Sequence, residues 1–305
     1  MARPGPSGGA PGVGLLFNPA LAAFVRDDAA LLDHLAVIPD RAWLDHGPQA
    51  VPRFEDLPGP LAPVEQAAAQ RPVVLHGIGL SILSAEPLDD AYVDQLARWR
   101  DRLGCDWVSE HLSFTRAGAG HATHAALALA MPYDHALLEL LVPRVQAVQQ
   151  RLGVPFLLEN PVGYVDFGDD ELGEPEFFNA LMAESGCGML LDLHNLFTNA
   201  HNGRCDALDY LARLDTAGVV EVHVAGGDAM LGLHTDSHAG PVHAGVWPLL
   251  DALLPRAPHL RAITFEFHEG SWPLLLRDGV VAELGKARAI VARQARVAEG
   301  AGVDR

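Results

Sequence analysis

Short β-type runs alternate with helical stretches along nearly the whole of this 305-residue chain, and most of the runs end on an imidazole or a carboxylate. The runs fall at residues 13–17, 41–45, 73–76, 106–109, 156–159, 189–192, 219–223 and 262–267. Eight strands separated by helices are the count of a TIM-type (β/α)8 barrel, an α/β fold. Helical patterns fill the gaps at 89–103, 175–185, 206–214 and 246–254; the first has Pro87 near its start and Gly104 at its end. The pattern over 133–152 contains Pro143 and is expected to kink or split. The last one, 272–298, is expected to wrap the barrel or cover its bottom. Prolines 39, 48, 52, 58 and 60 crowd the region around the second run, which makes the first two strands the least regular. A doubly wound sheet would show the same alternation, but it needs a Gly-rich G-x-G-x-x-G loop after a strand. Neither Val13-Gly14 nor His76-Gly77-Ile78-Gly79 fits that pattern. The expected organisation is one barrel domain over residues 13–298, a loose tail at 1–12 and a short tail at 299–305.

Composition narrows the function. Hydrophobic residues make up 49% of the chain, enough for a large core, yet no apolar run approaches the roughly 18 residues that span a bilayer. The first twelve residues are rich in Pro, Gly, Ser and Ala without an apolar h-region, so they do not read as a signal peptide, and a cytoplasmic protein without membrane partners is expected. The net charge of −18 comes from 21 basic and 39 acidic residues, with no basic cluster of the kind that meets phosphates. Nucleic acid is therefore not an expected partner. Cys105, Cys187 and Cys205 lack C-x-x-C spacing; Cys105 and Cys187 read as small core residues, and no disulfide framework is expected.

Strands of a parallel barrel all end at one rim, so residues far apart in sequence meet there. His76, His111, Glu159, Asp192, His223, Asp236, His238 and Glu266 all take strand-end or adjoining loop positions. One histidine at a strand end is usually a hydrogen-bonded structural residue; the argument is joint. Eight such groups without a balancing Lys or Arg would repel one another in a poorly solvated rim. Metal ions remove that cost, and three or four ligands per ion imply two or three ions. Mixed imidazole and carboxylate donors suit iron, zinc or manganese rather than copper(I) or calcium. Asp236 and His238 alternate on Asp236-Ser237-His238 and so face one side of an extended segment. His194 and Asn195 both follow Asp192, and spacing does not choose between them. His121, His201, His234 and His243 read as surface groups or as a shell behind the ligands.

The strings that carry these residues are Leu75-His76-Gly77-Ile78-Gly79-Leu80-Ser81, Ser109-Glu110-His111-Leu112, Leu157-Leu158-Glu159-Asn160-Pro161, Leu190-Leu191-Asp192-Leu193-His194-Asn195, Val220-Glu221-Val222-His223-Val224-Ala225-Gly226 and Asp236-Ser237-His238. In this order, over residues 72–270, they resemble the multinuclear non-haem iron-dependent oxidative enzymes, formerly domain-of-unknown-function family 692. The resemblance implies a barrel related to xylose isomerase-like enzymes and two or three irons of mixed Fe(II)/Fe(III) state at the rim. It implies O2-dependent modification of a ribosomally made precursor peptide, frequently at cysteine, with a partner protein that captures the leader. The implied metal ligands are His76, His111, Glu159, Asp192, Asn195, His223, Asp236, His238 and Glu266, with Glu159 and Glu266 as bridges and catalytic roles at Glu159, Asp236 and His238.

Two positions depart from the family pattern. A Glu-Asn pair usually follows the second strand, where this chain reads Trp43-Leu44-Asp45-His46, leaving Asp45 as the acid that could stand in. His194 stands where the family often has Asn. The competing expectations on the same barrel are a three-zinc, endonuclease IV-like phosphodiesterase and a metal-dependent sugar isomerase or epimerase. The former typically has His three residues after the strand-end Asp, where this chain has Asn195, and its rim needs cations to meet phosphates.

Overall fold

In the computed structural model, which describes residues 9–117, 123–165, 168 and 170–303, eight parallel strands close into a barrel in chain order. They are β1 (Gly12–Phe17), β2 (Leu35–Val37), β3 (Val73–Gly77), β4 (Val108–His111), β5 (Phe156–Glu159), β6 (Gly188–Asp192), β7 (Val219–Val224) and β8 (Ala262–Phe265). Closure is made by β1 against β8, with Leu15 beside Phe265. The expected fold class holds, with one strand misplaced. Residues 41–45 are not the second barrel strand; that is Leu35–Val37, paired with β1 and β3. Trp43–Asp45 instead pairs antiparallel with Phe54–Asp56 in a hairpin above the rim.

Strand parity separates two cores. Side chains of alternating residues point inward, and the inward set of Leu16, Ala36, Val74, Trp107, Leu157, Leu190 and Ala262 forms its own buried cluster inside the barrel. The outward set, including Leu15, Leu35, Val73, Leu75, Leu158 and Leu191, packs in the larger cluster with helix residues such as Leu96, Leu141 and Leu181. A fully buried aliphatic side chain contributes about 1.5–3 kcal/mol, so this outer shell sets the stability. The inner plug sets the depth at which a rim site can form.

The helices start and stop where local chemistry requires. Asp89 and Asp134 accept hydrogen bonds from Tyr92 N and Leu137 N at the starts of Asp90–Leu103 and His135–Leu152, and Gly104 and Gly153 end them at φ 67° and 64°. Such left-handed caps suit glycine because a Cβ is disfavoured there. His135–Leu152 runs through Pro143 as one helix and is not split in two. The C-terminal helix, Trp272–Val303, is interrupted at Leu276 and extends beyond the expected end at residue 298. Its residues Arg288, Val291 and Ala295 line a cavity of about 520 Å3 at the bottom of the barrel, with Gly12, His34 and Trp107. Among the described residues no helix is long and apolar enough to cross a membrane.

Among the described residues three short hairpins decorate the rim, in the segments that follow β2, β4 and β7: Trp43–Asp45 with Phe54–Asp56, Phe114–Ala117 with Thr123–Leu129, and Ala229–Met230 with Leu233–His234. The first is clamped by Arg53, which donates to both oxygens of Asp45 at 2.9 Å and to both oxygens of Asp89 at 2.7 Å. Arg116 of the second hairpin stands 3.6 Å and 3.5 Å from the same two carboxylates. Asp45 is thus spoken for by guanidinium groups.

Candidate metal centre

Ligand-type atoms gather at the C-terminal rim in three overlapping groups: His76, His111 and Glu159; Glu159, Asp192 and His223; and Asp192, His238 and Glu266. Within each group the ligand atoms lie within 4.8 Å of one another. Glu159 belongs to the first two groups and Asp192 to the last two, so the three form a continuous row. Strand register explains the row. His111 is paired with Glu159 across β4 and β5, and Asp192 with His223 across β6 and β7.

The imidazoles are held from behind. His76 Nδ1 is 3.0 Å from the Ser109 hydroxyl, which itself donates to the Leu75 carbonyl at 3.2 Å. The ring must therefore donate from Nδ1, which leaves the Nε2 lone pair facing Glu159 Oε2 at 3.3 Å. His111 Nδ1 donates to the Gly77 carbonyl at 3.2 Å and places its Nε2 at 3.3 Å from the same oxygen. His223 Nδ1 is 3.1 Å from Glu266 Oε2 and 3.8 Å from Glu159 Oε1. His238 sits between Asp236, 2.7 Å from its Nε2, and Glu266, 3.1 Å from its Nδ1.

Asp192 ends β6 and caps the helix Leu193–His201, accepting from His194 N at 2.6 Å and Asn195 N at 2.8 Å through Oδ1. Its Oδ2 has no hydrogen-bond partner among the described residues. The same holds for Glu159 Oε2, Asn195 Oδ1, His223 Nδ1, Asp236 Oδ1 and His238 Nε2, whose short contacts with one another and with Glu266 lack hydrogen-bond geometry. Buried polar atoms are rarely left unpaired, because each costs about 1–3 kcal/mol. Here six converge on one row of carboxylates and imidazoles, the donor set of a multinuclear transition-metal site. The residues fit the implied ions.

Electrostatics point the same way. Burial pushes the Glu159 carboxyl up to about 8, with Asp192 and Glu266 adding to the rise against the pull of His111 and His223. Burial likewise raises Asp192, reinforced by Asp236. Burial opposes charge on His111 and His238, but Glu159 outweighs it at the first and Asp236 and Glu266 at the second, holding both at about 10. Burial drives His76 well below the ordinary imidazole value, helped by its cationic neighbours. Glu266 is held down at about 2, His238 and His223 overcoming its burial. A set of carboxylates and rings that distort one another this strongly is characteristic of a functional site.

Of the residues expected at the site, His76, His111, Glu159, Asp192, His223, His238 and Glu266 lie in the three groups, and Asp236 adjoins them through His238. Asn195 turns its free Oδ1 into the same buried region while its Nδ2 donates to the Asn160 carbonyl at 3.0 Å. His194 Nε2 lies 3.4 Å from the Thr235 carbonyl, and its ring stacks toward Phe197 and His234. His201 and His243 are exposed, as surface groups would be, while His234 is buried; with His194 all three pack around Phe197. Asp45 takes no part, and His121 lies outside the described residues. Ser109 and Glu221, unassigned from sequence, back the rings of His76 and His223. Their signal was available: each lies inside the barrel by strand parity, one layer below the rim.

Comparison with known proteins agrees. Residues 12–292 match the family model described as RiPP precursor modification enzyme MbnB/TglH/ChrH. A UPF0276 protein of Caulobacter vibrioides is 32% identical over 279 residues, 91% of this chain and 93% of its own length. A UPF0276 protein of Acaryochloris marina is 37% identical over 197 residues, 65% of this chain and 70% of its own. Among solved structures, D-psicose 3-epimerase of Clostridium cellulolyticum H10 aligns with a TM-score of 0.57 at 10% identity, covering 92% of this chain and 98% of that one. The IOLI protein, solved with a zinc atom, aligns with a TM-score of 0.56 at 11% identity over the same shares. At such identities these two speak for the barrel alone. The family model over nearly the full barrel, with full-length relatives above 30% identity, places this chain in the MbnB/TglH/ChrH family of RiPP precursor modification enzymes.

Proposed function

We propose that this chain is a multinuclear non-haem iron enzyme that uses O2 to oxidise a ribosomally made precursor peptide at cysteine, acting in the cytoplasm with a partner that holds the peptide's leader. The observation that carries the reading is the sharing of Glu159 and Asp192 between neighbouring ligand groups, an arrangement that suits two or three adjacent ions. Iron bound there would supply one-electron chemistry with O2 and a Lewis-acidic seat for a substrate thiolate.

The chain's own contribution is placement. Glu159 and Asp192 are buried and close the inner side of the row, whereas the side chains of His111, Asp236 and His238 keep 24%, 25% and 23% of their exposure. The substrate therefore enters over His111, Asp236 and His238, and the latter two are the groups placed to meet it. Ser109 and the Gly77 carbonyl fix which nitrogen of His76 and His111 faces the ions. The loop 77–80 that walls this side is anchored by the Gly79 and Leu80 amides on Tyr92 Oη and Glu110 Oε2.

The test is metal analysis and Mössbauer spectroscopy on protein expressed with iron and purified without oxygen, followed by incubation with a cysteine-containing precursor encoded beside its gene. Two or three coupled irons and O2-dependent loss of peptide hydrogen support the reading. Tightly held zinc that iron does not replace, with phosphodiester hydrolysis or ketose epimerisation, would replace it.

A further inference from the structure

Beneath the ligand layer the barrel core carries a polar file. Glu221 lies two residues before His223 on β7, pointing inward and fully buried. Its oxygens meet two side-chain donors, from Trp107 just before β4 and from Thr264 on β8, and face His223 on the same strand. Trp107 Nε1 donates to Oε2 at 2.7 Å, the Thr264 hydroxyl donates to Oε1 at 2.7 Å, and His223 Nε2 faces Oε1 at 3.4 Å. Having given its proton to Glu221, Thr264 accepts from His34 Nε2 at 2.9 Å. His34 finds room because Gly14 has no side chain; a Cβ there would lie 2.7 Å from the ring.

TIM-barrel interiors are normally filled by branched apolar side chains, and an anion among them costs several kcal/mol unless it is well paired. Glu221 belongs to none of the three ligand groups. Among the described residues it meets the row at His223, whose other nitrogen is turned toward Glu266 and Glu159. Two side-chain donors hold the carboxyl group from Trp107 and Thr264, and His223 Nε2 lies beside it.

We propose that Glu221 is the positioning residue for His223, keeping the proton on Nε2 so that Nδ1 is the atom offered to the middle ion. The inference rests on reading the rim as a metal centre. Without an acceptor below, the ring is free to turn over or change tautomer, and Nδ1 loses its assignment. A carboxylate behind an imidazole also makes the ring a stronger donor, which favours the higher oxidation state of the ion in front.

The first test needs no variant. In zinc-loaded protein, nitrogen-15 NMR of labelled histidine should show His223 protonated at Nε2 and metal-bound at Nδ1; metal at Nε2 would overturn the proposal. The second compares variants loaded with iron. Glu221→Gln should weaken one ion by roughly 10–100-fold and shift the midpoint potential of the centre upward. Trp107→Phe, which leaves the His223 contact in place, should keep the wild-type iron count. Wild-type affinity and potential in Glu221→Gln, or equal iron loss in both variants, would overturn the assignment. A wild-type chain that takes up no transition metal would sink the metal-centre reading itself, and this inference with it.

Discussion

Nδ1 of His238 lies 3.1 Å from Oε1 of Glu266, and the opposite oxygen of that carboxylate is 3.1 Å from Nδ1 of His223. One side chain, just past the end of β8, therefore links the buried middle of the row to its open end. A loaded centre replaces these contacts with ions that bind the folded chain and not the unfolded one, so metal and stability are linked. At free metal about a thousandfold above Kd, one site adds about 4 kcal/mol, which moves melting by roughly 8 °C in a domain of this size. Calorimetry before and after anaerobic chelation should show at least that drop. An unchanged melting temperature would mean the row holds no ion.

The pH dependence has a definite sign. Glu159 is raised to about 8 and His111 and His238 to about 10 in the metal-free fold. Each is raised above its unfolded value, so the folded state binds the extra protons. The contribution of Glu159 is complete below the unfolded carboxyl value, near 4.5, and is lost as pH rises through about 8. That of the two histidines is complete below about 6.5 and is lost through about 10. Metal-free protein should thus melt earlier at pH 9 than at pH 6. Metal competes with those same protons, so loaded protein should not follow, and the gap in melting temperature should widen with pH. A gap that narrows between pH 6 and pH 9 would contradict the assignment of these groups as ligands.

Glu159 serves two of the three ligand groups. Glu159→Gln should therefore remove more metal than any change at His76 or His111, leaving at most one ion per chain in iron analysis. Metal-free Glu159→Gln should melt at or above the metal-free parent, because the amide avoids the burial that drives the carboxyl up to about 8. A variant with full iron content, or one that fails to fold without metal, would contradict this.

The barrel is readable because seven of its eight strands are patterned apolar runs, and six of those runs end on or beside a side chain that the rim collects. The second strand is not. Residues 41–45 alternate well enough to be a strand, and they are one, but their partner is Phe54–Asp56 and not the barrel. Leu35–Val37 spans three residues before Pro39, too short for periodicity to register. The ligand row is visible from sequence because its members end different strands. Glu221 is hidden because strand parity gives only its layer, and an inward carboxylate two residues below a ligand looks like an error until its donors, Trp107 just before β4 and Thr264 on β8, are known. The gathering of four imidazoles around Phe197 depends on loop paths that no local pattern encodes.

Arg53 joins the first rim hairpin to the start of the helix Asp90–Leu103 through two bidentate pairs, with a side chain only 12% exposed. Arg53→Ala leaves Asp45 and Asp89 facing each other with Arg116 alone between them. A loss of about 3 kcal/mol in urea unfolding is expected. Lys at this position should recover little, because an ammonium cannot form both forks. Iron content should stay at the wild-type value, since none of these groups belongs to the row. Loss of iron in Arg53→Ala at temperatures where it remains folded would show that the hairpin, and not the barrel rim, holds the site together.

The two side chains after Asp192 are expected to separate cleanly. Asn195 is fixed by its Nδ2 on the Asn160 carbonyl and presents an unpaired oxygen, while Asn160 in turn accepts from Asp192 N at 2.7 Å. His194 reaches Thr235 and the imidazoles around Phe197 instead. Asn195→Ala removes a donor atom beside Asp192 and should weaken one ion about tenfold or more, with a changed Mössbauer quadrupole splitting for that ion. His194→Asn should leave iron count and splitting as they are, and lose stability only through the packing against Phe197 and His234. The opposite outcome, with iron lost from His194→Asn and retained in Asn195→Ala, would place the imidazole in the row and require its ring to swing away from Thr235.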